Sequence, residues 1–185
     1  EEQPWDPAMT IIVDTRSTAH IGSGPESTLE WVLSLCASVA TELLRDRLRV
    51  ALLGSDGVIF RPVNGESTGA ASRLLATVTD VEPSGRSLLE DCLADPDALG
   101  TARTVVAGLG LLRPRDAAAL VAATTRVADI DALVPDARAF RLPVEMVVAH
   151  EEACRMLTTS GWNVVTFGPD ISVTQAWSRL VAQRE

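Results

Sequence analysis

Short apolar runs of strand length, alternating with stretches whose apolar residues recur every three or four positions, constrain this chain more than any other feature. A run of four to eight apolar residues makes a buried strand, and a period near 3.6 makes one face of a helix. Chains that alternate the two fold as a sheet covered by helices on both faces, with mostly parallel pairing. The first run, Met9 to Asp14, is rich in Ile and Val and ends on a carboxylate. Ser27-x-x-Glu30 then reads as a capping box, in which the Ser side chain accepts a first-turn N–H and the Glu reaches back. Behind it Leu29, Val32, Leu33, Cys36, Ala40, Leu43 and Leu44 form the wide apolar stripe of a helix that packs on a sheet.

Two further strands, Arg49 to Ser55 and Val58 to Val63, flank Asp56-Gly57. That dipeptide supplies the positive φ of a tight hairpin, so this pair is expected to be antiparallel. Pro62 places the second of them at a sheet edge, where a missing N–H is tolerated. Helices are expected from Thr68 to Val81 and, behind the box Ser87-x-x-Glu90, through Leu93. Thr104 to Leu109 has the nearly continuous apolar character of a buried parallel strand, and Pro114 starts an Ala-rich helix to Thr125. Val127 to Leu142 reads as loop with room for a short helix. Val144 to Ala149 predicts a fifth strand, Glu151 to Ser160 a helix stopped by Gly161, and Trp162 to Phe167 a sixth strand. Ser172-x-x-Gln175 caps the last helix. The expectation is one domain over residues 1–185: a three-layer, doubly wound α/β fold with a mostly parallel six-stranded sheet and one antiparallel edge strand.

Charge and composition remove several functions. A net charge of −9 argues against a nucleic-acid surface, because phosphate binding needs a concentrated basic field. Hydrophobic residues make up 46% of the chain, too many for a disordered segment, yet no run of eighteen apolar residues exists to span a bilayer. Cys36, Cys92 and Cys154, odd in number and widely spaced, suit buried free thiols in a reducing compartment. The opening Glu1-Glu2-Gln3, without an initiator Met or a signal-peptide pattern, is read as the start of a domain within a longer protein.

Ligands of open α/β sheets bind beyond the carboxyl ends of the strands, where the strand order reverses. The loop after the first strand, Asp14 to Ser23, is therefore the first place to look. Gly22-Ser23-Gly24 lacks the third glycine of a dinucleotide fingerprint, because Ser27 stands at that place, and no Walker A sequence occurs. His150 and Cys154 share one face of a predicted helix, but zinc wants more ligands than this pair, so a surface His beside a half-buried Cys is expected. No strained elbow surrounds Ser17 or Ser55, and no His is paired with either as a nucleophile would require. Trp5, between Pro4 and Pro7, is read as an anchor for the N-terminal segment on the domain or on a partner.

The order of elements, with Asp14 closing the first strand and an early hairpin, resembles the von Willebrand factor A-type domain. Such domains often bind Mg²⁺ through Asp-x-Ser-x-Ser on this loop, plus a Thr and a second Asp from neighbouring loops. Here Asp14 matches, Arg16 replaces the first Ser, Thr18 stands for the second and Thr68 for the Thr, and no acidic residue follows Thr104 to Leu109 directly. A guanidinium adds a competing positive charge that cannot be removed. The expectation is a degenerate site without metal, in which Arg16 pairs with Asp14 and takes the place of the ion. The two ends of the chain extend the resemblance. Glu1-Glu2-Gln3, then Gly161-Trp162-Asn163-Val164-Val165, Gly168-Pro169-Asp170 and Ala176-Trp177-Ser178-Arg179-Leu180, are similar to segments of the bacterial family called domain of unknown function 58, in its actinobacterial form. Leu109 to Asp116 resembles it too. The resemblance implies a membrane-anchored parent protein with this domain on its cytoplasmic side, and a working relationship with MoxR-type AAA+ ATPases.

Two classes of function follow as expectations. The first is a non-enzymatic protein-interaction module, without cofactor, whose contact surface comprises Asp14, Arg16, Ser17, Thr18, His20, Ser23, Asn64 and Thr68. The alternative is a metal-dependent hydrolase or nucleotide-binding enzyme that uses Asp14, with Asp170 after the sixth strand as its second carboxylate.

Overall fold

A computed structural model describes residues 9–61, 69–86 and 102–183, together with Leu89, Leu93 and Leu99. Pro62, Asn64 and Thr68 lie outside the described residues, as do Trp5, Cys92 and the Ser87 capping box. In chain order the elements are β1 (Met9–Val13), α1 (Thr28–Arg45), β2 (Val50–Gly54), β3 (Gly57–Phe60), α2 (Ala70–Thr79), β4 (Thr104–Gly108), α3 (Pro114–Ala123), β5 (Asp129–Pro135), α4 (Val144–Thr159), β6 (Asn163–Phe167) and α5 (Val173–Ala182). Single 3₁₀ turns, Ser17–Ala19 and Gly24–Glu26, lie in the loop between β1 and α1.

The six strands form one sheet in the order β3-β2-β1-β4-β5-β6. All pairs are parallel except β2 with β3, the hairpin closed by Asp56-Gly57 with Gly57 at φ 119°. Because side chains alternate across a strand, every strand except the edge strand β3 feeds two cores. Ile11, Val13, Val106, Leu133 and Val165 point to the face covered by α1, α2 and α5. Ile12, Val105, Ala107, Ala132 and Val134 point to the face covered by α3 and α4. The molecule is thus three-layered α/β, as the alternation of elements requires.

The fifth strand is not the expected segment. It is Asp129–Pro135, inside the stretch that reads as loop, while Val144–Ala149 opens a helix that continues to Thr159. Asp129 and Asp131 disguise β5, because charged residues are rare in a central strand. Asp131 is nonetheless buried, and Asn163 of β6, its partner in register, donates an amide N–H to it at 2.9 Å. Val144, Val147 and Val148 give the next segment the β-branched look of a strand. Its buried residues, however, are Val147, His150, Ala153 and Leu157, at helical spacing, with Val144 and Val148 left exposed. Pro143 sits at the N-cap, where its lack of an N–H costs nothing.

Helix α1 lies close across β4 because Gly108 has no side chain. A Cβ there would come within 2.7 Å of Val32 Cγ1 and 2.8 Å of Cys36 Sγ. Cys36 is a buried free thiol, its pKa pushed up to about 12 by burial, so at neutral pH it is a packing residue and not a nucleophile.

Candidate functional site

Strand order reverses between β1 and β4, so the loops after these two strands face each other at the carboxyl edge. Both are tied down by backbone bonds. Asp14 N–H continues the ladder to the Gly108 carbonyl at 2.9 Å, and Leu111 N–H donates to Ala19 O at 2.6 Å. Thr15 and Ser55 exchange two hydrogen bonds that lock the end of β1 to that of β2: Thr15 N–H to Ser55 Oγ at 3.0 Å and Ser55 N–H to Thr15 Oγ1 at 3.1 Å. Ser84 pairs with Arg16 in an isolated parallel bridge, accepting from Ser17 N–H at 2.9 Å and donating to Thr15 O at 2.7 Å.

Into this frame the chain places a buried guanidinium. Arg16 Nε donates to Asp14 Oδ1 at 2.8 Å and Nη2 donates to Asp14 Oδ2 at 2.7 Å, a two-pronged pair. Its Nη1 donates to Asp116 Oδ1 at 2.9 Å. The remaining acceptor capacity is also used: Asp14 Oδ1 takes Arg16 N–H, Asp14 Oδ2 takes Gly110 N–H, and Asp116 Oδ2 takes Arg113 N–H. Arg16, Asp14 and Asp116 are each no more than 3% exposed. Burial, the largest single influence, pulls the Arg16 pKa down, but the hydrogen bonds and charges of Asp14 and Asp116 outweigh it and raise the pKa. The cation is fixed at any pH a protein survives.

This arrangement does not fit a divalent ion. Mg²⁺ wants carboxylate and hydroxyl oxygens in octahedral array at about 2 Å, and here every oxygen of Asp14 and Asp116 is held by an N–H of Arg16, Gly110 or Arg113. Asp170 does not join them. It is exposed, beyond β6, which lies three strand spacings from β1, about 14 Å at 4.8 Å each. Among the described residues no group of three or more His, Cys, Asp or Glu is placed to hold a metal.

Both histidines of the chain are fully engaged. Ile21 N–H donates to Thr28 Oγ1 at 2.9 Å, so the Thr28 hydroxyl hydrogen is free to donate to His20 Nδ1 at 3.1 Å. His20 Nε2–H then donates to the Asp14 carbonyl. His150 is buried, contrary to its reading as a surface residue. Its Nδ1 accepts from Leu112 N–H at 2.9 Å and its Nε2–H donates to Pro135 O at 2.9 Å, with Cys154 Sγ 3.6 Å away. His150 is the neutral tautomer with the hydrogen on Nε2, because a backbone carbonyl can only accept and a backbone N–H can only donate, and the Asp14 carbonyl likewise places a hydrogen on Nε2 of His20. Neither has a nitrogen left to activate a serine, a water or a thiol. Burial pushes the Cys154 thiol up to about 12 as well.

Burial, the main influence, lowers the pKa of both rings in the folded state. The unfolded chain takes up these protons near pH 6.5 and the folded chain resists them, so stability is present above that pH and lost as the pH falls through it. Urea unfolding at about pH 7.5 and about pH 5.5 should show a midpoint that falls with pH. A midpoint that holds or rises over this window would contradict the neutral histidines.

Of the residues expected to share the site, Asp14 and Arg16 come together below the surface, with half-buried His20 against the Asp14 carbonyl. Ser17, Thr18 and Ser23 are exposed above them. Asp116 and Gly110 were not legible as part of it. Asp116 reads as a helix-start carboxylate, and nothing in the sequence links it to Arg16 one hundred positions earlier. Gly110 is required by close approach: a Cβ there would lie 2.4 Å from Ala19 O, on backbone that cannot move aside. Gly110→Ala should therefore destabilise by about 1–3 kcal/mol, the usual cost of overpacking, and a thermal melt unchanged from wild type would refute the contact.

No family model matches the chain, and no curated protein sequence matches it. Among solved structures, one crystal form of proximal thread matrix protein 1 from the mussel byssus superposes with a TM-score of 0.52 at 12% identity, over 96% of this chain and 46% of that one. A second crystal form gives 0.48 at 14% identity, over 95% and 46%. The shared property is the fold. This chain spans a little under half the length of the mussel protein.

Proposed function

We propose that this chain is a non-enzymatic protein-interaction module of the von Willebrand A type, in which a built-in guanidinium stands where related domains hold a dication. The observation that carries this reading is the Arg16 guanidinium, buried and shared between Asp14 and Asp116 at the switch point of the sheet. It stiffens the upper loops without an exchangeable ion. The engaged histidines support the same reading, since among the described residues neither imidazole is free to act as a general base. The contact surface is the rim above the cluster, Ser17, Thr18, His20 and Ser23, to which the proposal adds Asn64 and Thr68, outside the described residues. By the resemblance to the domain of unknown function 58 family, the partner is a MoxR-type AAA+ ATPase and the parent protein is membrane-anchored with this domain in the cytoplasm. No helix among the described residues is long and apolar enough to cross a membrane.

The test is binding of a purified MoxR-type ATPase from the same genome to the immobilised domain. Saturable binding is expected, weakened about tenfold or more by Thr18→Arg, an interface change worth at least about 1.4 kcal/mol, with the melting temperature unchanged. Absence of binding, or equal binding by the variant, would remove this reading.

A further inference from the structure

A cleft of about 590 Å³ opens between the start of α1, the turn Gly24–Glu26 and the end of β6. Part-buried Trp31 and Phe140 line it, backed by Phe167, which is only 1% exposed. Trp31 stacks on Phe167 with ring centres 3.7 Å apart and planes 12° from parallel, and Phe140 meets Phe167 edge-on at 6.4 Å. The indole is held in place, because Trp31 Nε1–H donates to Ile171 O at 2.9 Å.

Among the described residues, the charged side chains lining the cleft are Glu26 and Glu30, both exposed. Neither forms an ion pair with a described residue. Glu30 has been released from the task its position implies. In a complete capping box its carboxylate would accept the Ser27 N–H, but that N–H donates to Gly24 O at 3.0 Å, leaving only the Ser27 Oγ to Glu30 N–H half of the box. At α5, by contrast, Ser172 and Gln175 complete both halves. An ordered aromatic wall beside two unpaired carboxylates, on a chain of net charge −9, is complementary to a planar cation.

We infer that this cleft docks an arginine-bearing extended segment of a partner protein, its guanidinium lying against the aromatic wall and bonding to Glu26 and Glu30. An extended strand fits because aromatic-lined grooves take up chains that are already straight and lose little entropy on binding. The inference rests on the interaction-module reading and names the chemistry of the partner. It places that contact beside the 17–23 rim, at the next turn of the same loop.

The probe is acetyl-Pro-Pro-Arg-Pro-Pro-amide, titrated into the ¹⁵N-labelled full chain and followed by the four indole N–H resonances, with Trp31 assigned by its loss in Trp31→Phe. A saturable shift of the Trp31 indole is expected. Replacing the peptide's Arg by Gln, or combining Glu26→Gln with Glu30→Gln, should weaken binding about tenfold or more, as for loss of charge-assisted hydrogen bonds. Both Glu side chains are exposed, so an unchanged backbone spectrum will establish that the double variant is folded. No shift at millimolar peptide, or equal affinity for the Gln peptide, would overturn the inference. If that happens while the ATPase still binds through the 17–20 loop, the cleft proposal falls alone. Peptide binding without ATPase binding would leave the cleft standing and remove the named partner.

Discussion

Arg16→Ala should be among the most damaging single changes in the domain, lowering stability by about 3–5 kcal/mol, because it leaves two buried carboxylates facing each other without a cation. For a chain of this size that is a fall in Tm of roughly 10–15 °C. Arg16→Lys should recover only part of the loss, since an ammonium cannot bond two oxygens of Asp14 and one of Asp116 at once. The triple change Arg16→Met, Asp14→Asn, Asp116→Asn removes all three charges together and should be less harmful than Arg16→Ala, since replacing a whole buried ion cluster is cheaper than breaking it. If Arg16→Ala melts within a degree or two of wild type, the cluster does not have the structure described. Millimolar MgCl₂ should leave the wild-type Tm unmoved, whereas a bound dication would raise it by several degrees. Such a rise, abolished by Asp14→Asn, would reinstate the metal-dependent enzyme.

The second large effect is expected at His150. This ring joins α4 to the two loops it packs against, accepting Leu112 N–H on one side and donating to Pro135 O on the other. His150→Leu keeps the bulk but leaves a buried N–H and a buried C=O without partners. At about 1–3 kcal/mol for each unsatisfied group, the cost is roughly 2–6 kcal/mol. His150→Gln supplies an amide with both an acceptor and a donor, and should lose less. Equilibrium urea unfolding of the pair separates the two. Equal stability of Leu and Gln would mean that packing, and not the paired hydrogen bonds, is what His150 contributes.

These two predictions lie on residues that the sequence marks very unequally. Arg16 stands two positions after a strand-ending Asp14, and a side chain that near can always fold back onto it, so the pairing was open to local reasoning. His150 was not: with Cys154 it makes too few ligands for zinc and so reads as a surface residue, and its partners are backbone atoms 38 and 15 positions away. Side-chain periodicity carries no information about which backbone groups are left unpaired elsewhere in the chain.

The same division runs through the fold. Local pattern was enough for β1, α1, the β2–β3 hairpin, β4, α3, β6 and α5, because each joins an unbroken apolar period to a turn, a cap or a proline. It failed over residues 127–149, where Asp131 breaks the apolar run of a central strand and valines crowd the first turns of a helix. There, register with β6 and burial against α3 decided the outcome, and both are long-range facts. Three-layer α/β architecture and a first loop at the switch point were therefore determined by sequence alone, since periodicity and turn chemistry are properties of neighbours. The union of Asp14 with Asp116 on one guanidinium, the close approach of Gly110 to Ala19 and the carboxylates left free beside Trp31 were decided only by the tertiary structure. Each depends on which distant backbone and side-chain groups satisfy one another once water is excluded.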